Sequence, residues 1–276
     1  MEIDLKTIER LLITTYRKDI YRPFMKGIEE YQLINEGDKI AVCISGGKDS
    51  LTLAKLMQEL QKHGKMKFEL VFLVMNPGFN QINLDTLIKN AKKMDIPIEI
   101  VNTDIFYVTE KIACDYPCYI CARMRRGNLY YFAKEKNCNK IALGHHFDDA
   151  IETILLNILY GGTYKAMLPK LKSTNFKGLE LIRPMIYVKE KAIIRYMEHI
   201  GIKAMNCGCK VAGGELPSKR KEIKELIASL RKIHPNVDIS IYRSSQNVNL
   251  NCVLGWLKGN KKYTYLNNYE NHQEDE

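Results

Sequence analysis

Ser45-Gly46-Gly47-Lys48-Asp49-Ser50 joins a short apolar run, Lys39 to Ile44, to a stretch in which Leu51, Leu53, Ala54, Leu56, Met57 and Leu60 recur at helical spacing. Two glycines let the backbone approach a ligand, and the amides that open a helix suit an anion. Lys48 adds a mobile positive charge, and Ser45 and Ser50 add hydroxyl donors. The chemistry is that of a phosphate cradle. It is not a Walker A loop, which needs a longer gap before its Gly-Lys-Ser/Thr. An ordinary glycine-rich turn with a solvated lysine would share the glycines, but it would not need all six residues in this strand-to-helix setting.

Two further groups have chemical potential. Gly144-His145-His146-Phe147-Asp148-Asp149 follows a short apolar strand, Lys140–Gly144, and opens a helix that runs through Glu152 and Thr153. Carboxylates beside a triphosphate can hold magnesium and so neutralise a leaving pyrophosphate. Aspartates at a helix start also serve as plain caps. The third group is made of cysteines in close pairs, Cys118/Cys121 and Cys207/Cys209. A structural zinc site fits such pairs, and so does a redox dithiol that forms a persulfide. Cys43, Cys114, Cys138 and Cys252 stand alone and read as small buried hydrophobes.

The elements that must position these groups follow from the apolar pattern. Residues 5–34 read as two helices with a break at Arg22-Pro23. From residue 38, strands at Lys39–Ile44, Phe68–Val74, Ile96–Val101 and Lys140–Gly144 alternate with helices at Leu84–Met94, Cys121–Lys136 and Asp148–Tyr160. That alternation predicts a doubly wound, mostly parallel α/β sheet, which binds ligands beyond the carboxyl ends of its strands. The phosphate loop, Met75 and Gly144-His145 all fall there. A short strand at Leu181-Ile182, helices at Lys189–Gly201 and Glu215–Ile233, and a frayed polar tail from Tyr263 complete the chain. The expected divisions are an N-terminal helical segment (1–36), a nucleotide-binding domain (37–202), a cysteine-bearing basic helical region (203–262) and a tail (263–276).

The 276 residues carry a formal net charge of +10. One basic group holds Arg123, Arg125, Arg126, Lys134, Lys136 and Lys140; another holds Lys210, Lys219, Arg220, Lys221, Lys224, Arg231 and Lys232. Phosphate backbones are the natural partner of such patches, with Arg220 and Lys221 expected to touch them. The acidic opening Met1-Glu2-Ile3-Asp4 has no long apolar core behind it, so no signal peptide is expected, and no stretch is long enough to span a bilayer. A cytoplasmic protein without a membrane partner is the expectation, and eight cysteines there do not suggest a disulfide framework.

Taken in order, Ser-Gly-Gly-Lys-Asp-Ser, Cys118-x-x-Cys121-x-Arg123-x-Arg125-Arg126-Gly127-x-Leu129-Tyr130 and Gly144-His145-His146-x-Asp148-Asp149 resemble the tRNA 2-thiocytidine biosynthesis family of pyrophosphate-loop tRNA thiolases. The resemblance runs from about Ile34 to Ile223. It implies a Rossmann-like fold of the adenine nucleotide alpha hydrolase type, ATP, Mg2+, and a 4Fe-4S cluster held by three cysteines. Cys118 and Cys121 match the first two ligands. Where the family has a second Cys-x-x-Cys, this chain has Cys207-Gly208-Cys209, and Ala212 stands opposite the family's ligand by count from the basic helix. Cys209 is taken as the third ligand, with Cys207 as the alternative.

On this reading ATP lies with its phosphates on Ser45–Ser50 and its adenine near Met75, Gly144 and His145. Lys48, Asp49, Arg126 and Asp149 are the expected catalytic residues. The substrate implied is cytidine 32 of tRNA, with a sulfide or persulfide donor. The branch that thiolates a T-loop uridine carries terminal zinc-binding cysteine pairs that this chain lacks. Amidating ligases and lysidine synthetases of the pyrophosphate-loop class need no cluster, and an RNA-binding iron-sulfur protein without catalysis would not need the ATP motifs. Dimers are common in the family, which leaves a homodimer open.

Overall fold

The computed structural model describes residues 3–107, 117–205 and 219–271, without the side chains of 117–122, 268, 270 and 271. Six strands form one sheet: β1 (Lys39–Ile44), β2 (Glu69–Asn76), β3 (Ile98–Asn102), β4 (Lys140–Ala142), β5 (Lys170–Lys172) and β6 (Glu180–Ile182). Their spatial order is β3-β2-β1-β4-β6-β5, all parallel except β5, which runs antiparallel to β6. The chain leaves β1 towards β2 and β3, then returns to place β4 on the other side of β1. The crevice between the carboxyl ends of β1 and β4 is therefore the switch point, where ligands bind in such sheets.

β1 shows why the sheet is covered on both faces. Ile40, Val42 and Ile44 belong to one core with Leu51, Leu53 and Met57 of α3 (Lys48–His63). Ala41 and Cys43 alternate with them and pack in a second core with Tyr130 and Ala133 of α5 (Pro117–Glu135). The other helices beside the sheet are α4 (Gln81–Lys93), α6 (Phe147–Leu159) and α7 (Glu190–His199). α8 (Lys219–Ile233) packs on α6 through Ile223 and Ile227, and α9 (Val237–Ser244) joins the same apolar cluster through Tyr242. No described helix is long and apolar enough to cross a membrane.

The N-terminal segment is α1 (Leu5–Ile13), a π-helical turn at Arg17–Tyr21 and α2 (Arg22–Glu30). The expected break at Arg22-Pro23 is not there. Pro23 sits in the first turn of α2, where its missing amide is not needed, and the interruption comes earlier, at Thr14–Tyr16. Ile8, Leu12, Ile20, Phe24 and Ile28 join the core shared by α3 and α7.

The tail expected to fray from Tyr263 is ordered as far as Asn271, and residues 272–276 lie outside the described residues. β7 (Gly255–Lys258) and β8 (Lys261–Thr264) form a hairpin, followed by a 3-10 turn at Tyr265–Asn271. Its two-residue loop has Gly259 at φ 61°, and Trp256 stacks on Tyr263 with ring centroids 5.3 Å apart. Cys43 and Cys138 are buried as expected, and burial pushes their thiols up to about 12 and about 11. Cys252 is exposed instead, on a 3-10 turn at Leu250–Cys252 where its sulfur accepts from the Asn249 amide at 3.3 Å. Cys114 lies outside the described residues.

Candidate active site

The phosphate loop turns tightly as it leaves β1. The Ser50 hydroxyl accepts from the Ser45 amide at 3.1 Å and donates to the Gly47 carbonyl at 2.9 Å, so the two ends of the loop are tied together. Gly46 has φ 82°, in the region that favours glycine, and a Cβ there would stand 2.6 Å from the Met205 sulfur. Gly47 precedes α3 without any side-chain cap, leaving the first amides of that helix to a ligand. From β4, Gly144 crosses so closely that a Cβ would stand 3.1 Å from the Asp49 carbonyl carbon and the Ser50 nitrogen. A cleft of about 360 Å³ opens here, lined by Ser45, Asp49, Ser50, Met75, Gly144, His145 and Asp149 among others.

Lys48 lies at the centre of the electrostatics. Its ammonium is 3.2 Å from Asp49 Oδ2 and 3.0 Å from Glu190 Oε1. Burial works against that ammonium, but the two carboxylates outweigh it and raise its pKa. Glu190 also meets Lys224 of α8 at 2.7 Å. Burial alone would raise the Glu190 carboxyl, yet Lys224 and Lys48 together hold it down at about 2.

On the other side, His146 caps α6. Its Nδ1 accepts from the Asp149 amide at 3.3 Å, while Asp149 Oδ2 accepts from the His146 amide at 3.0 Å. His146 Nε2 is 3.7 Å from Asp49 Oδ1, so one imidazole lies between the two carboxylates. Asp49 Oδ1 is buried with no hydrogen-bond partner, which fits an acceptor kept for a cation. Asp149 Oδ1 instead receives Arg220 at 2.9 Å. Asp148 faces away and accepts the Glu190 amide at 2.7 Å and Arg231 at 2.8 Å. His145 is held neutral: burial, then the Arg183 cation, lowers it to about 4, and Arg183 Nε donates to its Nδ1 at 3.3 Å.

The structure thus brings together Ser45, Gly46, Gly47, Lys48, Asp49, Ser50, Met75, Gly144, His145 and Asp149 from the expected set. Arg126 lines neighbouring cavities, and Arg125 is the arginine of that stretch in the phosphate cleft. Cys118 and Cys121 fall three residues apart in α5, one turn of helix, and their side chains are outside the described residues. Cys207 and Cys209 lie wholly outside them. Glu190, Arg183 and Met205 were not expected at the site. Glu190 and Met205 reach it from distant sequence, with no local pattern to mark them.

One expected phosphate-binding group is corrected. Lys140 is buried, 2.6 Å from Asp38 Oδ2, with its ammonium donating to the Leu33 carbonyl at 2.9 Å. Arg220 is ion-paired with Asp149 and Glu152 while its side chain stays about half exposed, and Lys221 beside it is exposed.

A parallel sheet whose first strand feeds this loop at the switch point defines a nucleotide-binding domain of the pyrophosphate-loop class, and residues 18–206 match the family model for the PP-loop domain. Among relatives, the tRNA-cytidine(32) 2-sulfurtransferase of Geobacter metallireducens is 37% identical over 84% of this chain and 90% of its own length. That of Geotalea uraniireducens is 38% identical over 87% and 94%. The chain belongs to the tRNA-cytidine(32) 2-sulfurtransferase family. Among solved structures, the U34-tRNA thiolase NcsA from Methanococcus maripaludis, with its 4Fe-4S cluster, superimposes with a TM-score of 0.66 at 24% identity, covering 82% of this chain and 76% of that one. That likeness concerns the fold.

Proposed function

We propose that this chain is an ATP-dependent tRNA sulfurtransferase that replaces the C2 oxygen of cytidine 32 with sulfur. The observation that carries the reading is the cleft itself, where an uncapped helix start, Lys48 and two carboxylates converge at the switch point. The relatives' activity agrees with it.

The loop amides and Lys48 bind the triphosphate, exchanging the ammonium's contact with Glu190 for phosphate oxygens. Asp49, through its unpartnered Oδ1, and Asp149, once Arg220 moves, would hold Mg2+ against the leaving group. The cytidine C2 oxygen attacks the α phosphorus, the bond to the bridging oxygen breaks, and pyrophosphate leaves with the electron pair. A sulfide equivalent then adds at C2 and AMP departs with the former C2 oxygen. His145, neutral and accepting at Nδ1, keeps Nε2–H as a donor towards the cleft without adding charge. Arg125 lines the same cleft and offsets phosphate charge.

Four thiols, two of them one helical turn apart, fit a 4Fe-4S cluster, which Cys118, Cys121 and Cys209 or Cys207 would hold. Such a cluster supplies an iron site that can carry sulfide. A sulfide donor completes the reaction in the cytoplasm directly; a persulfide donor does so with a second thiol that cleaves the resulting disulfide and is itself oxidised to a disulfide.

The test is mass spectrometry of nucleosides from tRNA incubated anaerobically with the protein, sulfide and ATP. 2-Thiocytidine should form only with ATP. Lys48→Ala should lower its rate by about a hundredfold, the cost of about one preorganised donor. Near-normal turnover in that variant would exclude the cleft as the reacting centre.

A further inference from the structure

Three cavities run in series along α5. The phosphate cleft shares Arg125, Leu129 and Leu143 with a second cavity of about 220 Å³, which is walled otherwise mainly by Ile141 and Leu181. That second cavity shares Arg126 and Tyr130 with a third, of about 520 Å³, which opens between α5 and the loop joining β5 to β6. The lining changes along the way, from polar at the cleft to apolar in the middle and basic at the mouth.

The mouth is built rather than incidental. The Ser173 hydroxyl accepts from the Phe176 amide at 3.1 Å, and Ser173 N donates to the Leu179 carbonyl at 2.8 Å, which fixes the loop. Phe176 packs on Tyr130 with ring centroids 5.5 Å apart, closing one wall. Arg123, Arg126 and Lys172 line this cavity, and among the described residues none of the three has an acidic partner within ion-pair distance. Cations without counter-charges, next to the amide and hydroxyls of Asn175, Thr174 and Ser173, match a phosphodiester. The middle cavity is smaller than the roughly 300–1,000 Å³ typical of pockets for larger ligands, and suits a single unstacked ring.

We infer that this series of cavities is the entry path for an RNA single strand, with the mouth between α5 and the β5–β6 loop binding the phosphate of a nucleotide that adjoins the reacting base. The inference rests on the proposed tRNA substrate and adds where the strand lies. An extruded pyrimidine enters through the apolar section towards the C2-activating cleft, while its neighbour's phosphate stays outside on Lys172 and the arginines.

The experiment uses the full chain and an unmodified tRNA transcript containing cytidine 32. Binding is followed by fluorescence polarisation across a salt series, for the native protein and for Lys172→Glu/Asn175→Glu. Both positions are exposed and outside the ATP cleft, so the variant should keep its fold. Its affinity for the transcript should fall at least tenfold, and the salt slope should drop by about 0.7 for one lost single-strand phosphate. Affinity for a non-hydrolysable ATP analogue should stay the same. A transcript with 4-thiouridine next to cytidine 32 should crosslink to the 171–176 peptide. Unchanged affinity and slope, with crosslinks elsewhere, would overturn the path while leaving the thiolase reading intact. An ATP-analogue affinity that falls in proportion would assign the channel to the nucleotide and also overturn it. If the native protein binds no tRNA, both readings fail together.

Discussion

Two helices hold the two basic runs of the sequence, ten of its 42 lysines and arginines, and the arginines on them are used in different ways. On α8, Arg220, Lys224 and Arg231 reach Asp149 and Glu152, Glu190, and Asp148 and Asp238 respectively. Those carboxylates stand at the start of α6, at the start of α7 and on α9, so the helix is fastened to the rim of the phosphate cleft. On α5, Arg123 and Arg126 are exposed and border an open basic cavity. Composition treats the two runs as alike. Position relative to the acidic residues at helix starts separates the paired cations from the free ones. Arg220, Lys224 and Arg231 fasten α8 to the domain. Arg123 and Arg126 on α5, like Lys221 and Lys232 on α8, are exposed without an acidic partner among the described residues.

The largest contrast should appear in stability. Arg231→Met leaves Asp148 and Asp238 buried without their guanidinium, and should destabilise the fold by about 2 kcal/mol in urea titrations. That is below the roughly 3–5 kcal/mol of a fully buried pair, because Arg231 is partly solvated and Lys189 still reaches Asp238. Arg126→Met should change stability by no more than about 0.5 kcal/mol. Equal losses would erase the distinction between the helices.

A second contrast is in pH. Glu190 is an acid whose folded pKa is depressed from 4.5 to about 2, so its stabilising contribution is complete above about 4.5 and disappears as pH falls towards 2. Glu190→Gln should therefore flatten the stability profile in that window, as read by the urea midpoint against pH. An unaltered profile would mean that Lys48 and Lys224 do not act through this carboxylate.

The smallest effect concerns Arg220. Because it is already bound to Asp149 and Glu152, Arg220→Gln should leave the salt slope of tRNA binding unchanged. It should also lower, by about two- to threefold, the Mg2+ concentration needed for half-maximal pyrophosphate release, since Asp149 no longer has to be freed. A reduced salt slope would return α8 to the RNA surface.

These contrasts also mark what could be read from sequence. The phosphate loop and the Gly144–Asp149 turn were legible because each is one contiguous strand-to-helix junction whose residue types state the chemistry. The parallel sheet was legible from the alternation of strands and helices. Glu190 was not: its role depends on Lys48 and Lys224 meeting from helices far apart in the chain. Nor could charge counts show that Arg220 is neutralised or that Lys140 is buried beside Asp38. Pro23 misled for a local reason, since a proline in a first turn and a proline that ends a helix look the same in one dimension. The terminal hairpin carries only a short local mark, the Gly259-Asn260 turn between Trp256 and Tyr263.

The central claim is that the chain activates the C2 oxygen of cytidine 32 by transferring it onto AMP. The direct measurement uses tRNA carrying oxygen-18 at that single position, incubated anaerobically with the protein, ATP and sulfide. Mass spectrometry then follows both products. The account predicts one labelled oxygen in AMP for each 2-thiocytidine formed, with pyrophosphate unlabelled. Label released to water or found in pyrophosphate, with 2-thiocytidine still formed, would contradict it.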